Sequence, residues 1–451
     1  MTSATARFPG RGSFARGVHP PEAKELAAEC KIEVVPAPSQ VVVALLQHTG
    51  APCQPTVKTK QEVALGQLIG DSEAFISAPV HASIAGTVLK DSVTTLPNGR
   101  HVRTIPIAAS GEQLQGKGLW DDVFGGDWAT RGLDRHDPGR IVQAVRDAGV
   151  VGLGGAAFPT HVKLKRNEAK PIDTLLLNGC ECEPYLTADY RLMLEAPSPI
   201  ITGGLLAAHA AGARQIVLAI EDNKPLAIER MRRSAEGTGV QVVVLKTKYP
   251  MGGEKQTILA ALGRTVPTLG LPLDIGVVVV NVGTAAAIAR AVLRGKPLTH
   301  RVLSVSGAGI AHPKNLLVSV GISYAQLIDY CGGLTADAAR VVAGGPMMGL
   351  ALADFDTPVT KGTSGLTVLT HRDIRQARET PCIRCGRCVD VCPINLVPTK
   401  LATASKHEDW ELARRYQLMA CFECGCCAYI CPAGIPLAQL IRTGKAKMPK
   451  E

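Results

Sequence analysis

The chain has 451 residues, of which 46% are hydrophobic and 20% are charged, and its formal net charge is +10. Such a composition is typical of a folded protein of about three domains and excludes wholesale disorder. No apolar run approaches the ~18 residues that cross a bilayer, and the basic N-terminus lacks the apolar stretch of a signal peptide, so we expect the chain to stay on the cytoplasmic side.

Short apolar runs separated by Pro and Gly predict a β-rich N-terminal domain over residues 1–130. The stretch from Ile76 to Val88 resembles the small β-sandwich, or barrel-sandwich, of biotinyl and lipoyl carrier domains. It has no lysine at the hairpin tip, which favours a scaffold over a swinging carrier arm. The predicted strands are Ile32–Val35, Val41–Leu46, Ala85–Leu89 and Val102–Ile107.

An alternation of strand and helix patterns predicts a parallel α/β domain over residues 131–297. Ligands of such sheets usually bind at the carboxyl ends of the strands. The predicted strands are Thr174–Leu177, Gln215–Ile220, Gln241–Leu245 and Ile275–Asn281, and the predicted helices are Pro199–Ala211, Lys224–Ala235, Gly253–Leu262 and Thr284–Leu293.

Two further regions complete the chain. Residues 298–370 return to short strands around a predicted helix at Tyr324–Tyr330, which indicates a small β-grasp-like module. Residues 371–451 contain a predicted helix at Asp409–Met419 and carry 13 Lys and Arg against 8 Asp and Glu. This basic end suits an acidic partner or an anionic membrane, or is simply a solvated surface. No aromatic-interleaved basic patch accompanies it, so nucleic acid is not an expected partner.

Eight cysteines form two copies of the pattern C-x2-C-x2-C-x3-C-P, the spacing of bacterial ferredoxins with two 4Fe-4S clusters. Two-residue gaps let a tight loop place three thiolates on three irons of one cubane. The proline after the fourth cysteine keeps that residue from curling back, so it binds the other cluster. Cluster one is therefore assigned to Cys382, Cys385, Cys388 and Cys431, and cluster two to Cys421, Cys424, Cys427 and Cys392.

A zinc site and disulfide bonds are the alternatives for these cysteines. Zinc sites use two CxxC pairs or a mixture of Cys and His, whereas both sets of four here lack His and include a cysteine followed by Pro. Disulfides are rare in cytosolic proteins. Cys426 lies inside the second motif but off the pattern, which favours a packing role. We therefore expect a C-terminal helical, ferredoxin-like domain with two 4Fe-4S clusters.

A glycine-rich loop, Gly152–Thr160, superficially matches the dinucleotide-binding fingerprint G-x-G-x-x-A. That fingerprint requires a preceding strand, but Ile141–Ala148 has a helical pattern and Pro159 interrupts the expected helix start. A generic Rossmann site is therefore not expected here. The glycines still allow the backbone to lie flat against a phosphate or an aromatic ring, as a flavin mononucleotide (FMN) site requires.

Four segments occur in one characteristic order: the glycine loop with Lys163, then Asn178–Pro184, Tyr249–Lys255 and Asn281–Thr284. In this combination the chain resembles the flavin-bearing, NADH-oxidising subunit of respiratory complex I. It is more similar still to the RnfC family of the Rnf-type ion-translocating electron transport complex, which has an opening like Gly17–Glu22 and ends in a pair of ferredoxin motifs. The resemblance covers nearly the whole chain.

The resemblance implies roles for the matching positions. Non-covalent FMN would be held by the glycine loop and Lys163, and NADH would approach Phe158 and Glu183. Ala157 departs from the family pattern, where Gly is expected, and its methyl group would narrow the gap over the flavin. No catalytic residue is assigned; the implied cofactor-binding residues are Gly152, Gly154, Gly155, Phe158, Lys163, Asn178, Glu181, Glu183, Glu254, Asn281 and Thr284.

The implied function is that of a peripheral electron-transfer subunit docked on the membrane subunits of an Rnf-type complex, at the cytoplasmic face of the inner (plasma) membrane. NADH gives up two electrons at once and a 4Fe-4S cluster takes one, and a flavin converts between the two modes. The complex would couple electron flow between NADH and a ferredoxin- or flavodoxin-type carrier to ion movement. Two alternatives remain open: a soluble flavin iron–sulfur NADH oxidoreductase, and a non-catalytic cluster relay or assembly subunit with a degenerate flavin site.

Overall fold

The computed structural model describes residues 9–374 and 378–449. Its first compact region is a sandwich of two antiparallel sheets, whose inward-facing residues form one apolar core that includes Val41, Ile69, Val80 and Ile107. One sheet has the order β2-β9-β7-β4 with β8 beside β9, and the other has the order β3-β5-β6. These strands are β2 (Gln40–Ala44), β3 (Gln54–Pro55), β4 (Glu62–Val63), β5 (Leu68–Asp71), β6 (Val80–His81), β7 (Gly86–Val88), β8 (Ser92–Thr95) and β9 (His101–Ala109).

Residues 1–130 were expected to form one β-rich domain, and the structure differs from that expectation at both ends. Strand β1 (Ile32–Val34) lies outside the sandwich and pairs in parallel with the distant segment Lys314–Ser319. After the last sandwich strand the chain forms a helix, α1 (Gly116–Val123), whose buried Leu119 and Val123 join the core of the next region. The strand itself lies where it was predicted, but pairing over such a distance in sequence leaves no local pattern, so the sheet to which β1 belongs could not be assigned from its own residues.

The second region is a four-stranded parallel sheet in the order β12-β11-β10-β13. Its strands are continuous apolar runs because helices cover both faces. Alternate residues point to opposite sides: Leu175 and Leu177 pack under one layer of helices, and Leu176 packs under the other. The strands are β10 (Thr174–Asn178), β11 (Gln215–Glu221), β12 (Val240–Leu245) and β13 (Val277–Asn281), each within two residues of its predicted bounds.

The helices of this region pack closely because small residues face each other. At Gly203, in the longest helix, an added Cβ would lie 1.7 Å from the carbonyl oxygen of Ala285 in the neighbouring helix, so only glycine fits there. The helices are α2 (Pro138–Asp147), α3 (Thr160–Leu164), α4 (Ala188–Glu195), α5 (Pro197–Ala211), α6 (Pro225–Ala235), α7 (Glu254–Leu262) and α8 (Val282–Arg294).

The third region is a mixed six-stranded sheet in the order β1-β15-β14-β18-β16-β17, so the early strand β1 forms its edge. Helix α9 (Tyr324–Tyr330) lies where it was predicted, and Ser323 and Gln326 close its N-terminus as a capping box. Its strands are β14 (His300–Ser306), β15 (Lys314–Ser319), β16 (Ala338–Ala343), β17 (Leu350–Ala351) and β18 (Gly365–Thr370).

The fourth region consists of short helices around a core that contains Leu401, Leu418 and Ile441. The helix predicted at Asp409–Met419 ends earlier, because Gln417 adopts a left-handed conformation with φ +59° and starts a separate 3-10 turn. The helices are α10 (Arg387–Asp390), α11 (Pro398–Lys406), α12 (Trp410–Arg415), α13 (Cys426–Ile430) and α14 (Leu437–Lys447). None of the helices in the described ranges is both long and apolar enough to cross a membrane.

Residues 10–18, which we call the N-terminal strap, cross from the second region to the fourth. At one end, the backbone N–H of Gly12 donates to Ala260 in α7. At the other end, the N–H of Gly17 donates to the carbonyl of Val391, inside the first cysteine motif, at 3.0 Å. The strap therefore ties the cysteine-rich region to the parallel sheet.

Candidate functional site

Two asparagines lie side by side at the carboxyl edge of the parallel sheet. Asn178 ends β10 and Asn281 ends β13, and the two are register partners in adjacent strands. The Asn178 side chain donates to the carbonyl of Gly252 at 2.9 Å. The Asn281 side chain accepts from the N–H groups of Gly283 and Thr284 and so caps helix α8. This edge is where a parallel sheet usually binds its ligand.

The glycine loop turns over this edge as a tight hairpin. The N–H of Gly152 donates to the carbonyl of Phe158 at 2.9 Å. Gly154 and Gly155 are exposed, and Gly155 has φ +105° with no atom within 4 Å of an added Cβ. An added Cβ at Gly154 would meet only the Asn281 side chain, at 3.6 Å or more. The loop therefore presents open backbone beside Asn281.

Thr284 and Ala157 anchor this loop from below. The Thr284 hydroxyl is buried and accepts from the N–H of Leu153 at 2.8 Å. Ala157 has φ +48°, and its methyl group is buried in an apolar cluster with Ala78, Val151, Leu153 and Leu298. We expected this methyl group to narrow the gap over a flavin. The structure instead places it in the core beneath the loop, because a left-handed backbone turns Cβ inward here.

Lys163 and Glu254 form an ion pair at the same edge. Helix α3 follows the glycine loop and carries Lys163, whose Nζ lies 2.8 Å from Glu254 Oε1 and 3.3 Å from the carbonyl oxygen of Val279. Both side chains remain about one-third exposed, at 31% and 37%. A cation that is held in place but still accessible is suited to an anionic ligand.

Two acids lie behind the edge rather than on it. Glu181 is buried, and its carboxylate accepts from the N–H groups of Asp189 and Tyr190 at the start of helix α4. Asp189 accepts from the Asn281 amide at 2.7 Å. Burial, together with the charge of Glu181, raises the pKa of Asp189 to about 7. Sequence reasoning missed Asp189, because only the fold of the 179–187 loop brings it to Asn281.

Glu183 lies at the junction with the third region. Its carboxylate accepts from the N–H groups of Met347 and Met348 at 3.1 and 2.8 Å. Burial raises the pKa of Glu183 to about 7, against these two hydrogen bonds, which lower it. The structure thus uses the carboxylate to hold a loop of the six-stranded sheet. Phe158, the other residue expected near the nucleotide, is half-buried in the glycine loop.

These residues fit a bound FMN. Gly154 and Gly155 leave an open backbone surface against which a flat ring can lie, and Lys163 supplies a cation for a phosphate. The Asn178 amide is held by Gly252 and Cys180 and so fixes the edge of the sheet, and Glu254 holds the cation. Of the predicted residues, the sheet edge brings together Gly152, Gly154, Gly155, Lys163, Asn178, Glu254 and Asn281, whereas Glu181, Glu183 and Thr284 hold the surrounding frame.

The four cysteines assigned to cluster two line one cavity. Cys392, Cys421, Cys424 and Cys427 line this cavity in the fourth region, together with Cys426. Backbone N–H groups of Leu396 and Glu423 donate to the sulfurs of Cys392 and Cys421 at 3.3 and 3.4 Å. Burial raises the pKa of the Cys421 thiol to about 11. This donor set fits a cubane with four thiolate ligands.

The cysteines assigned to cluster one lie nearer the surface. Cys382 and Cys385 are exposed, whereas Cys388 and Cys431 are buried. Burial raises the pKa of the Cys388 thiol. Within the described residues, no group of three or more His, Cys, Asp or Glu side chains is close enough together to hold a single metal ion. The ligands of a cubane are spaced more widely, since each binds a different iron.

One segment joins the flavin-type cleft to the cluster-two cavity. Residues 249–256, which we call the bridge, carry Glu254 on the cleft side. On the cluster side, Gln256 donates to the carbonyl of Pro393 at 3.4 Å, and Phe422 lies 3.3 Å from the Cβ position of Gly253. The two candidate cofactor sites are therefore separated by one short stretch of chain.

The chain is similar along most of its length to curated proteins of known type. It is 43% identical over 408 residues to the C subunit of the proton-translocating ferredoxin:NAD(+) oxidoreductase complex of Clostridium ljungdahlii, covering 90% of this chain and 88% of that one. It is 41% identical to the Na(+)-translocating counterpart from Acetobacterium woodii, covering 89% of each chain. The chain belongs to the RnfC family of ion-translocating ferredoxin:NAD+ oxidoreductase complexes. It is also 42% identical to the C subunit of the ion-translocating oxidoreductase complex of Rhodobacter capsulatus, covering 97% of this chain and 83% of that one.

Four family descriptions match this RnfC-family member, one for each of the four regions of its structure. The RnfC barrel sandwich hybrid domain matches residues 12–112, and the Nuo51 FMN-binding domain matches residues 145–290. The SLBB domain matches residues 302–351, and the 4Fe-4S dicluster domain matches residues 381–435. The resemblance inferred from the sequence motifs is thus confirmed, as are FMN and 4Fe-4S clusters as its cofactors.

A solved structure supports the fold alone. A chain of an NAD+-reducing NiFe-hydrogenase in the H2-reduced state aligns with a TM-score of 0.50 and 22% sequence identity. The alignment covers 74% of this chain and 66% of that one.

Proposed function

We propose that this chain is the peripheral subunit that moves electrons between NAD(H), FMN and two 4Fe-4S clusters in an ion-translocating oxidoreductase complex. The observation that carries the proposal is the bridge. Its Glu254 pairs with Lys163 in the cleft, and its Gly253 and Gln256 contact the chain on both sides of the cluster-two cavity. A two-electron site and a one-electron site are thereby held by the same eight residues.

The residues of the cleft have distinct proposed roles. Gly152, Gly154 and Gly155 offer backbone to the FMN ring and phosphate, and Lys163 neutralises the phosphate charge while Glu254 fixes the lysine. Asn178 and Asn281 are register partners at the carboxyl edge of the sheet and would hold the edge against the FMN ring. Phe158 and Glu183 would border the nicotinamide side. When bound, FMN accepts a hydride and passes electrons on singly.

The cysteine-rich region is proposed to hold the next two electron carriers. Cys392, Cys421, Cys424 and Cys427 would bind the cluster next to the bridge, and Cys382, Cys385, Cys388 and Cys431 would bind the other. Cys382 and Cys385 are exposed, with Arg384 and Arg387 between and beside them, and would leave cluster one close to the surface. An electron carrier near the surface can exchange electrons with another subunit.

We place the subunit against the membrane subunits of such a complex, at the cytoplasmic face of the inner membrane. The relatives from Clostridium ljungdahlii and Acetobacterium woodii are named as subunits of proton- and Na+-translocating ferredoxin:NAD+ oxidoreductases. By analogy, a ferredoxin or flavodoxin-type carrier would react at the far end of the complex and NADH at this subunit. The basic residues around 371–451 would face the partner subunits.

The test is an anaerobic NADH titration of the protein reconstituted with FMN and iron–sulfur clusters, followed by electron paramagnetic resonance (EPR). Reduced cluster signals that appear together with flavin bleaching would support the proposed path. Flavin bleaching without cluster reduction would contradict the path through the bridge. Absence of flavin binding would favour the non-catalytic relay, and stable turnover without membranes would favour a soluble oxidoreductase.

The Lys163→Gln variant tests the cleft directly. Loss of the charge that faces the FMN phosphate is expected to weaken FMN binding at least about tenfold, the effect of one charge-assisted hydrogen bond. Fluorescence titration of the apo-protein with FMN measures this loss. Lys170→Gln is the matched control, because Lys170 also pairs with an acid, Asp274, in the same region but away from the cleft. Equal affinities in the two variants would contradict the assignment of Lys163.

A further inference from the structure

Tyr249 is a buried tyrosine at the meeting point of three regions. Only 2% of it is exposed. Its backbone pairs with Val18 at the end of the N-terminal strap through hydrogen bonds of 2.9 and 3.0 Å. Its hydroxyl donates to the carbonyl oxygen of Cys424 at 2.7 Å. The first residue of the bridge therefore contacts a cysteine assigned to cluster two.

The hydroxyl has one proton and two nearby acceptors. Glu183 Oε1 lies 3.5 Å away, at the outer limit of a hydrogen bond, whereas the Cys424 carbonyl lies 2.7 Å away. The hydroxyl of Tyr249 therefore donates its one hydrogen bond to the carbonyl oxygen of Cys424.

The carbonyl belongs to the peptide group that joins Cys424 to Gly425. In a trans peptide the C=O and N–H bonds point in opposite directions, so a hydrogen bond that fixes the oxygen also fixes the N–H of Gly425. Gly425 has φ +80°, and an added Cβ would lie 2.5 Å from the carbonyl oxygen of Met347. The ligand loop is therefore held from outside at this peptide, by Tyr249 on one side and by Met347 on the other.

We propose that Tyr249 is a positioning residue for cluster two. Its hydroxyl orients the Cys424–Gly425 peptide within the ligand loop, and the orientation of peptide dipoles around the sulfurs sets the reduction potential of an iron–sulfur cluster. Because Tyr249 is also the first residue of the bridge, this hydrogen bond acts on the reduction potential of the cluster that faces the flavin cleft. The inference rests on the proposed function for its role in electron transfer, but its test does not depend on NADH.

The Tyr249→Phe variant removes this one hydroxyl and keeps the buried ring. Both clusters of the full-length, reconstituted protein are titrated with redox mediators and dithionite, and their EPR signals are followed separately. We expect the ratio of reduced to oxidised cluster two to fall about two- to tenfold at a fixed ambient potential, the effect of one hydrogen bond. Cluster one is expected to titrate as in the wild type.

Tyr324→Phe is the matched control. Tyr324 is equally buried, at the start of helix α9, and its hydroxyl lies 3.3 Å from Thr363 Oγ1, just before strand β18. Its loss is expected to leave both clusters unchanged. Equal behaviour of the two variants, or an equal shift of both clusters in Tyr249→Phe, would overturn the proposal.

A second substitution covers the case in which Tyr249→Phe fails to assemble its clusters. Replacing Tyr249 with 3,5-difluorotyrosine keeps the ring shape and makes the hydroxyl a stronger donor. Cluster two is then expected to become easier to reduce, opposite to the effect of phenylalanine, whereas a merely structural role would give no such reversal. Shifts in the same direction for both substitutions would contradict the proposal. Clusters that are silent to NADH in the wild type would contradict the proposed function and leave this comparison intact.

Discussion

At the scale of single residues, Ala157 combines an unfavourable backbone with a favourable burial. Its left-handed conformation costs about 1–2 kcal/mol for a residue with a Cβ, and its buried methyl group contributes roughly 0.8 kcal/mol. The two effects nearly offset, so Ala157→Gly is expected to change the free energy of unfolding by less than about 1.5 kcal/mol. Because the methyl group lies beneath the loop, FMN affinity should stay within about threefold.

Thermal unfolding and fluorescence titration with FMN measure both quantities for Ala157→Gly. Binding that is tighter by tenfold or more would show that the methyl group intrudes on the flavin after all. It would also revive the view that the flavin site of this chain is degenerate.

Glu183 makes stability depend on pH in a direction unusual for a glutamate. Burial raises its pKa from 4.5 to about 7, so the folded state holds a proton that the unfolded state has already lost. Its contribution to stability is full below about pH 4.5 and disappears as the pH rises through 7. In Glu183→Gln, the fall in melting temperature between about pH 5.5 and 8 should therefore be shallower than in the wild type.

The control for this pH series is Glu62→Gln. Glu62 is exposed, and hydrogen bonds from Thr87 and Ser110 lower its pKa, so its contribution has the opposite sign. Melting curves recorded by circular dichroism across the pH range compare the three proteins. Parallel curves for the wild type and Glu183→Gln would contradict the assignment of a buried, proton-binding Glu183.

At the scale of elements, the contact between α5 and α8 depends on the absence of a side chain at Gly203. An added methyl group there would collide with the backbone of Ala285, which cannot move as a flexible side chain could. Gly203→Ala is therefore expected to lower the free energy of unfolding by about 1–3 kcal/mol or more. It would also shift α8, whose first turn carries Asn281 at its N-cap.

Gly118→Ala provides the comparison, measured by denaturant unfolding. Gly118 lies in α1, and an added Cβ there would meet only the Leu114 side chain, at 3.3 Å. Alanine is the better helix former by roughly 0.5–1 kcal/mol, so this variant should be equally or more stable than the wild type. A Gly203→Ala protein as stable as the wild type would mean that α5 and α8 can move apart without lowering the free energy of unfolding.

The sequence predicts elements well where each is defined by its own residues. The strands of the parallel sheet are apolar, β-branched runs between turns, and Tyr324–Tyr330 carries its own capping box, so both lie where expected. The strand-end asparagines of the cleft follow from the same pattern. In contrast, the pairing of Ile32 with Asn315 and the contact of Glu183 with Met347 join distant segments, and no local pattern marks them.

At the scale of the whole molecule, the four regions share structural parts. Strand β1 leaves the N-terminal segment to edge the six-stranded sheet, and the bridge touches both the flavin-type cleft and the cluster-two cavity. The family descriptions divide the chain into four domains, but the contacts at Tyr249 and Glu183 join three of them. The distance between cofactor sites is therefore a property of the assembled chain and not of any one domain.

The N-terminal strap also constrains the order in which the chain can fold. The Arg16 side chain donates to the carbonyl of Val389, a partner 373 residues later in the sequence. On the ribosome, residues 10–18 therefore emerge long before their partners in the cysteine-rich region. Contacts between residues so far apart in the sequence form slowly. The strap is therefore synthesised early but fixed in place at a late step of folding. Until that step, the first cysteine motif lacks the hydrogen bonds that Arg16 and Gly17 make with Val389 and Val391.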